Sequence, residues 1–463
     1  MIHVIGGGLA GCEAAWQIGS LGIPVVIHEM RPVRPTAVHK TDKLAELVCS
    51  NSLRADKLDN AVGLLKEEMR RLGSLIVRIA DETRVPAGAA LAVDRERFAS
   101  AVTDALERHP GVTIRREELQ RLPSPAADGS PCIVATGPLT SDALAAEIVE
   151  LLGADQLYFY DAISPIVLAE SIDRDKVFRA SRWDRSLGRA AAGAGADAGA
   201  EPSEGDYLNC PMSAAEYERF LDALTTAESA TVHDFDTAVF FEGCLPVEVM
   251  AHRGRDTLRF GPMKPVGLID PRTGREAYAV VQLRQDNLAG EHYSLVGFQT
   301  QLKWGDQARV LRLIPGLEQA EFVRFGMVHR NTYINAPRVL APTWRVRSRP
   351  DLFFAGQISG VEGYVESAAS GLIAGRCAAA VHAGREPSVP PRTTAIGALG
   401  FYVSHANSAN YQPTNISFGI MPPLERAPRK RLARREAMAQ RALRDLAAWT
   451  AETDAVCAEA AVR

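Results

Sequence analysis

Two cysteines have neighbours that suit a reactive thiol. Cys49 lies in the run LVCSNSLR, and Cys244 lies in the run FFEGCLPVE. Polar residues and turn formers flank both cysteines, and neither belongs to a periodic apolar face. A nucleophilic thiol must be accessible and must be held partly as thiolate by nearby positive charge or amide dipoles, which Arg54 and the Ser50 amide could provide for Cys49. Each cysteine is therefore a candidate nucleophile, and the alternative is a buried structural thiol, the usual state of a free cysteine.

A glycine-rich segment near the N-terminus indicates the binding of a dinucleotide. It directly follows the apolar run of residues 2–5 and comprises Gly6, Gly7, Gly8, Leu9, Ala10 and Gly11. Gly6 allows a tight turn, Gly8 lets the backbone approach a pyrophosphate, and Gly11 allows the next helix to pack on the strand. A helix starting near Leu9 would direct its amides and its positive end at the pyrophosphate. Glu29, at the end of the next apolar run, can accept a hydrogen bond from a ribose 2′-hydroxyl.

Two later segments predict the remainder of the nucleotide site. The apolar run from Cys132 ends in an Ala-Thr-Gly turn at Gly137, a feature common in flavoproteins of the glutathione-reductase type. A second apolar run, residues 352–355, is followed by Gly356, Gln357, Gly363 and Tyr364 and then by a helix of small residues over about 365–380. The N-terminus of that helix predicts a second contact with the nucleotide.

Other patterns predict the elements between these segments. Asp59 or Asn60 is placed to cap a helix that runs to about residue 72, whereas the rest of residues 31–60 is predicted to be irregular. Asp94 is placed to cap another helix, in which an apolar residue at every fourth position, 98, 102 and 106, predicts a buried stripe. Residues 112–114 predict a strand. The Ala- and Gly-rich residues 190–205 predict a disordered surface insertion.

Together these elements predict an α/β fold, a Rossmann-like domain of the glutathione-reductase type with an inserted α+β domain. A chain of 463 residues is long enough for two or three domains. We expect the first part of the nucleotide-binding domain over residues 1–159 and the inserted domain over residues 160–325. The second part is expected over residues 326–463, and it ends in a basic helix over 428–449.

Composition restricts the classes of function. The net charge is −4, with 46% apolar and 23% charged residues, as in an ordinary globular protein without a strongly basic chain. The seven cysteines are widely spaced and include no CxxC pair, which predicts a reducing cytoplasm without structural disulfides. No segment reads as a signal peptide or a membrane span, so we expect no membrane partner, and no residue is assigned to a metal.

Several segments resemble the folate- and FAD-dependent tRNA (uracil-54-C5)-methyltransferases, a bacterial family. The resemblance is carried by residues 45–54, 207–212, 240–251, 259–268, 328–337 and 354–371. It covers nearly the whole chain apart from the Ala/Gly insertion and the last few dozen residues. It implies an enzyme that makes 5-methyluridine in the T-loop of tRNA, with 5,10-methylenetetrahydrofolate as one-carbon donor and FAD reduced by NADPH or NADH. The dinucleotide of the glycine segment is then FAD.

The resemblance also assigns roles to the two cysteines. It implies that Cys244 adds to carbon-6 of the uracil and that Cys49 takes part in proton transfer at carbon-5, although the two roles can be exchanged. Lys264, the loop expected around His329 and Trp304 are further candidates for contacts with folate, a phosphate or a base, each with a purely structural alternative. The basic helix is a candidate for tRNA phosphates or a solvated face.

Three competing functions remain open at this point. A flavoprotein that modifies the tRNA wobble uridine with a partner GTPase would share the glycine motif but is usually much longer. A thiol-disulfide flavoenzyme would need two cysteines a few residues apart beside the flavin, and this chain has none. A non-catalytic FAD-containing tRNA-binding protein would leave Cys49 and Cys244 without a role. The chain is expected to act as a monomer or a homodimer.

Overall fold

The computed structural model describes residues 1–36, 38–124, 130–153, 157–184, 205–229 and 245–461. Its strands are β1 (Ile2–Ile5), β2 (Val25–Glu29), β3 (Ser52–Ala55), β4 (Arg84–Val85), β5 (Ala90–Val93), β6 (Val112–Arg116), β7 (Cys132–Val134), β8 (Leu157–Ala162), β9 (Ile166–Leu168), β10 (Phe178–Ala180), β11 (Tyr207–Met212), β12 (Ile269–Asp270), β13 (Arg275–Glu276), β14 (Ala279–Gln285), β15 (His292–Leu295), β16 (Phe322–Arg324), β17 (Val328–Tyr333), β18 (Arg345–Val346) and β19 (Arg349–Phe354). Its helices are α1 (Leu9–Ser20), α2 (Ala61–Arg71), α3 (Leu75–Glu82), α4 (Arg95–Glu107), α5 (Asp142–Leu152), α6 (Ala214–Thr226), α7 (Val247–His252), α8 (Thr257–Phe260), α9 (Trp304–Leu311), α10 (Ala336–Val339), α11 (Tyr364–His382), α12 (Ala395–His405) and α13 (Arg431–Ala461).

A largely parallel sheet carries the nucleotide-binding half of the molecule. Its strand order is β18-β19-β7-β1-β2-β6, and only the edge strand β18 runs antiparallel to its neighbour. The apolar runs at both ends of the chain therefore meet in one sheet, because β19 pairs with β7 beside β1. This arrangement confirms the predicted α/β fold with a Rossmann-like sheet.

Helices α1 and α11 lie against the sheet and pack closely on each other. A Cβ atom at Gly371 would overlap the carbonyl oxygen of Ala10, and one at Gly375 would lie 2.7 Å from the carbonyl oxygen of Ala14. Small residues are thus required where the two helices touch. This contact explains the small-residue composition of α11 and holds the N-termini of both helices beside the same ends of the strands.

A second, antiparallel sheet forms the centre of the inserted domain, in the order β10-β11-β14-β15-β9-β16. It has its own hydrophobic core, built by residues between Val167 and Ala320, whereas the core of the nucleotide-binding domain draws on residues up to Ile148 and from Tyr333 onward. The pair β8 and β17 joins the two halves. The domain bounds given above stay a prediction.

Several local predictions can be compared with these elements. Asp94 caps α4 by accepting a hydrogen bond from the Arg97 amide at 3.0 Å, and the stripe at 98, 102 and 106 is fully buried, as predicted. Asn60 occupies the N-cap position of α2, but its side chain makes no capping hydrogen bond. The prediction that residues 31–60 are irregular was wrong at β3, because that strand finds its partner in β5, far along the chain.

Two predicted regions lie partly or wholly outside the described residues. Residues 190–204 of the predicted insertion and Cys244 belong to them. Among the helices that the structure describes, none combines the length and the apolar character that crossing a bilayer requires.

Candidate active site

A cleft of about 1040 Å³ opens at the carboxyl ends of β1, β2, β7 and β19. This is the edge at which open α/β sheets bind their ligands. The predicted site residues that line the cleft are Gly6, Gly7, Gly8, Leu9, Ala10, Glu29, Gly137, Gly356, Gln357 and Tyr364. Gly11 and Gly363 are not among the lining residues.

The glycines of the first segment differ in what surrounds them. A Cβ atom at Gly6, which has φ of 105°, would lie 2.5 Å from the carbonyl oxygen of Ala135, so this turn requires glycine. A Cβ at Gly11 would overlap the Gly6 carbonyl oxygen, so Gly11 serves helix packing. Gly8, the N-cap of α1, has nothing within 4 Å of its missing Cβ. The open space over Gly8 and the free amides of α1 suit a diphosphate.

Glu29 already has three donors from the protein. Its carboxylate accepts hydrogen bonds from the Gly7 amide at 2.9 Å and from the amide and Nε of Arg31 at 2.9 and 2.8 Å. Burial opposes its ionisation, but the hydrogen bonds and charge of Arg31 outweigh that effect and lower the pKa of Glu29. The carboxylate is thus ionised and fixed at the cleft, where a ribose hydroxyl would be a further donor.

The second predicted contact is built around the start of α11. The Gly356 amide donates to Ser370 Oγ at 2.7 Å, and Gln357 Nε2 donates to Glu362 Oε2 at 2.7 Å. Gly363 is the N-cap of α11 with φ of 109°, a conformation that favours glycine. Gly363 therefore shapes the backbone, while Tyr364, the first residue of the helix, reaches the cleft.

Tyr364 connects the cleft to Cys49. Its hydroxyl oxygen accepts hydrogen bonds from the Cys49 amide at 2.7 Å and from the Ser50 amide at 3.1 Å. Burial, with the adjacent Cys49, raises the pKa of Tyr364, so it stays a neutral phenol at ordinary pH. One side chain thus lines the nucleotide cleft and holds the backbone of the candidate thiol.

Arginines from the inserted domain hold the same loop from the other side. Arg284 donates to Ser50 Oγ at 2.7 Å and to Asn51 Oδ1 at 2.8 Å, and Arg324 donates to the Cys49 carbonyl oxygen at 3.2 Å. The Asn51 amide group donates in turn to the carbonyl oxygens of Val93 and Gln285, both at 3.0 Å. The Cys49 loop is therefore fixed jointly by both domains.

Positive charge is concentrated around Cys49. Arg95 forms an ion pair with Asp286 at 3.0 Å and donates to the Leu47 carbonyl oxygen at 2.8 Å. Burial, followed by repulsion from Arg95, lowers the pKa of Arg324 to about 10, so it remains charged at neutral pH. Arg54, which the sequence suggested as a positive charge for Cys49, instead pairs with Glu366.

No local signal in the sequence pointed to Arg284 or Arg324. Their positions relative to Cys49 depend on how the inserted domain docks, over 275 residues of chain in the case of Arg324. Cys244 itself lies outside the described residues, and its catalytic role stays a prediction. The chain that follows it is anchored, since the Val247 amide donates to the Gln299 carbonyl oxygen at 2.7 Å.

Four of the other cysteines are packing residues. Cys12, Cys132, Cys210 and Cys377 are all buried. Burial raises the pKa of Cys132 and of Cys377 to about 12 and raises the pKa of the other two still further. These thiols are protonated and inaccessible, whereas Cys49 is partly exposed.

The other candidate contacts fall in different places. Lys264 lies in a turn, and its amide donates to the Gly261 carbonyl oxygen at 3.3 Å. The segment around His329, which was expected to be a loop, is strand β17, because it pairs with β8 along its whole length. Trp304 is 61% exposed. The positions of Lys264, the segment around His329 and Trp304 do not test whether these residues contact folate or a base.

The basic C-terminal helix divides its arginines between two environments. Arg434, Arg435 and Arg441 donate to backbone carbonyl oxygens, among them those of Pro428, Asp59 and Pro422. They therefore attach the helix and the preceding segment to the protein. Exposed positions are held by Arg429, Lys430, Arg431 and Arg444.

Comparison with known proteins identifies close relatives over the full length. The family model for glucose inhibited division protein A matches residues 1–386. Methylenetetrahydrofolate--tRNA-(uracil-5-)-methyltransferase TrmFO of Desulforudis audaxviator is 60% identical over 455 residues, which are 97% of this chain and 98% of the relative. The protein of the same name from Moorella thermoacetica is 58% identical over 442 residues, 96% of each chain.

A solved structure confirms the fold. GidA of Aquifex aeolicus, in its form I crystal, superposes with a TM-score of 0.68 at 18% identity and covers 96% of this chain and 75% of its own. At that identity the likeness concerns the fold alone. The resemblance predicted from the sequence is confirmed by the relatives, and the chain belongs to the TrmFO family of methylenetetrahydrofolate--tRNA-(uracil-5-)-methyltransferases.

Proposed function

We propose that this chain is the folate- and FAD-dependent methyltransferase that makes 5-methyluridine at position 54 in the T-loop of tRNA. Relatives that carry the methyltransferase name match nearly all of the chain. The observation that carries the proposal is the position of Tyr364, which lines the nucleotide cleft and whose hydroxyl accepts a hydrogen bond from the Cys49 amide. A redox cofactor and a nucleophilic or proton-transferring thiol would thus be neighbours, as the reaction requires.

The cleft suits FAD. The open space above Gly8 and the amides at the start of α1 would hold the diphosphate, and Glu29 would hold a ribose. The start of α11, with Tyr364, would lie towards the flavin end. FAD, reduced by NADPH or NADH, supplies the hydride that converts the methylene group of 5,10-methylenetetrahydrofolate into a methyl group.

The overall reaction balances with these components. The methylene carbon would form a bond to carbon-5 of uracil as its bonds to the two folate nitrogens break, carbon-5 would lose its proton, and the reduced cofactor would supply the hydride that completes the methyl group. Tetrahydrofolate would leave, and the oxidised FAD would stay bound and be reduced again by NADPH or NADH. No other methyl donor is required.

The two cysteine thiols compensate for the low reactivity of the uracil ring. Carbon-5 of uracil is a poor nucleophile, and addition of a thiolate at carbon-6 makes it reactive. We assign this addition to Cys244 and the removal of the carbon-5 proton to Cys49. Arg95 and Arg324 donate hydrogen bonds to the carbonyl oxygens of Leu47 and Cys49, which fixes the backbone on either side of the thiol. The hydrogen bonds of Arg284 and Tyr364 keep the loop in one position.

The partners follow from the reaction. We propose tRNA as the macromolecular substrate, folate as the donor and the cytoplasm as the place of action. A uridine inside the folded T-loop must be turned out of its stack before carbon-6 can be reached. The site must therefore admit a loop of RNA from the side of the inserted domain.

The test uses the purified protein with its bound cofactor. A tRNA transcript without modifications, 5,10-methylenetetrahydrofolate labelled in its methylene carbon, and NADPH or NADH are incubated with it, and the digested RNA is examined for labelled 5-methyluridine. A transcript with cytidine at position 54 is the matched control. Label in 5-methyluridine from the first transcript alone is expected. Label at another uridine, or dependence on S-adenosylmethionine, would overturn the proposal.

A further inference from the structure

Three aromatic rings on the inserted domain form a stack that ends at the surface. The ring centroids of Trp304 and Phe325 are 6.0 Å apart with planes inclined by 16°, and those of Phe325 and Phe322 are 4.9 Å apart with planes inclined by 21°. In the core of the same domain the rings of Phe220 and Phe298 are tilted by 47°. Since Trp304 is 61% exposed, the near-parallel stack ends in an accessible indole. We call these three residues the aromatic stack.

The aromatic stack adjoins the Cys49 loop through Arg324. This arginine lies between Phe322 and Phe325 in the chain, and its Nη2 atom donates to the Cys49 carbonyl oxygen at 3.2 Å. Its buried Nε atom has no hydrogen-bond partner among the described residues. The side chain that holds the candidate thiol and the rings that lead to the surface therefore belong to one short segment.

The surroundings of Trp304 suit RNA better than protein. Its immediate neighbours Lys303 and Gly305 are exposed, and Lys303 pairs with Glu228 at 2.5 Å, while Arg309 in the same helix pairs with Asp306 at 2.7 Å. Exposed pairs of this kind are weak and can be exchanged for phosphates. A single flat ring among charged groups is not the extended apolar patch that a protein interface uses.

An unpaired nucleobase has the chemistry that such a platform selects. Proteins bind bases of single-stranded RNA loops by stacking them on aromatic side chains. When a loop uridine is turned out to react, its neighbours in the loop lose a stacking partner. An indole that continues a stack from the segment holding the Cys49 loop can replace that partner.

We propose that the aromatic stack is a platform on which an unpaired base of the tRNA T-loop stacks through Trp304 while the neighbouring uridine reacts. This inference rests on the proposed function for the identity of the RNA. It assigns a substrate-contacting residue and an RNA-facing surface on the inserted domain. Trp304 would bind the substrate and take no part in the chemistry.

The experiment measures RNA binding separately from methylation. A fluorescently labelled T-arm stem-loop is titrated with the FAD-loaded protein and with its Trp304→Leu and Trp304→Phe variants. Loss of one stacked base predicts weakening by roughly 5- to 150-fold for Trp304→Leu, which corresponds to the ~1–3 kcal/mol of such a stack. Trp304→Phe keeps an aromatic face and should recover most of the affinity. Trp183→Leu, at another exposed tryptophan of the inserted domain, should bind like the unaltered protein.

A second arm identifies what stacks on Trp304. Stem-loops with single abasic nucleotides next to the target uridine should bind the unaltered protein more weakly, and one of them should show no further loss with Trp304→Leu. Equal binding of all stem-loops by Trp304→Leu and the unaltered protein would overturn the proposal. The proposal would also be overturned if Trp304→Leu raised only the KM for the folate. It would equally be overturned if Trp304→Leu changed only the oligomeric state, seen as the mass of the protein in solution.

The two proposals fail in different ways. If the protein binds the stem-loop through Trp304 but transfers no methyl group, the proposed function is wrong and the platform stands. If it methylates uridine-54 and Trp304→Leu binds RNA normally, the platform is wrong and the function stands.

Discussion

The hydroxyl oxygen of Tyr364 lies 2.7 Å from the backbone nitrogen of Cys49, although 315 residues separate them in the chain. It also accepts a hydrogen bond from the Ser50 amide. The first residue of the late helix α11 thus sets the position of a loop that follows the first βαβ unit. Because Tyr364 also lines the cleft, this one side chain would contact a cofactor bound there and the backbone of Cys49.

Replacing Tyr364 by phenylalanine tests this connection. The variant keeps the ring but leaves the Cys49 and Ser50 amides without their acceptor, a loss of ~1–3 kcal/mol for a buried donor. We expect flavin content close to normal and methylation reduced by roughly 10- to 100-fold, because the loop is no longer fixed. Flavin absorbance and turnover number are the measurements. Tyr402→Phe, at a tyrosine that does not line the cleft, is the control. Unchanged turnover in Tyr364→Phe would show that the hydroxyl does not position Cys49.

The nucleotide-binding half could be predicted from the sequence because its contacts are local. Gly11 packs on Gly6 and on the strand before it within one short unit, a steric reason that the motif already expresses. The Asp94 cap and the buried stripe of α4 are local in the same sense. Such features depend on neighbours a few residues away.

The environment of Cys49 could not be predicted in this way. Its loop is held by Arg284 and Arg324, which act across 233 and 275 residues of chain, respectively. Arg54 is closer in sequence but points to Glu366. Strand β3 was missed for the same reason, since it has no apolar run of its own and forms by pairing with β5. Sequence proximity therefore suggested a cation that the structure places beside Glu366 and not beside Cys49.

Gly8 is the position at which a side chain should exclude the cofactor. Its backbone, with φ of −77° and ψ of −172°, is compatible with valine, and nothing lies within 4 Å of the added Cβ. Gly8→Val should therefore fold but fill the space of the diphosphate and purify colourless. Gly419→Val, at a glycine outside the cleft, is the control for the substitution itself. A fully yellow Gly8→Val protein with a normal melting temperature would place the diphosphate elsewhere.

Lys66 should make stability depend on pH. Its side chain is fully buried and donates to the carbonyl oxygens of Leu53 and Ala55 at 2.9 and 2.7 Å. Burial lowers the pKa of Lys66 from 10.5 to about 7. Between these values the unfolded chain binds one more proton than the folded one, so this residue's contribution to the free energy of unfolding rises with pH, by up to about 1.4 kcal/mol per unit.

The measurement compares melting temperatures of the unaltered protein and Lys66→Met from pH 7 to above pH 9. The difference between them should change in favour of the unaltered protein as the pH rises, because methionine has no proton to lose. Lys40→Met, at an exposed lysine, controls for the loss of a surface charge. Parallel profiles for Lys66→Met and the unaltered protein would mean that Lys66 does not change protonation in this range.

The division of labour between the thiols can be resolved with a trapped substrate. Cys244→Ala should retain flavin and lose several powers of ten in methylation rate, because no thiolate can add to carbon-6. In the Cys49→Ala variant the Cys244 thiolate should still add to carbon-6 of the base, but the proton on carbon-5 should not be removed. A stem-loop with 5-fluorouridine at position 54 carries no proton there, so the adduct should accumulate.

A gel that separates free RNA from RNA bound covalently to protein reads out the result. We expect a covalent band with the unaltered protein and with Cys49→Ala, and none with Cys244→Ala. Cys210→Ala, which removes a buried thiol of the inserted domain, should behave like the unaltered protein. A band that persists in Cys244→Ala and disappears in Cys49→Ala would exchange the two roles. In that case the arginines that hold the Cys49 loop would position the nucleophile itself, since Arg284 and Arg324 bond directly to Ser50 and Cys49.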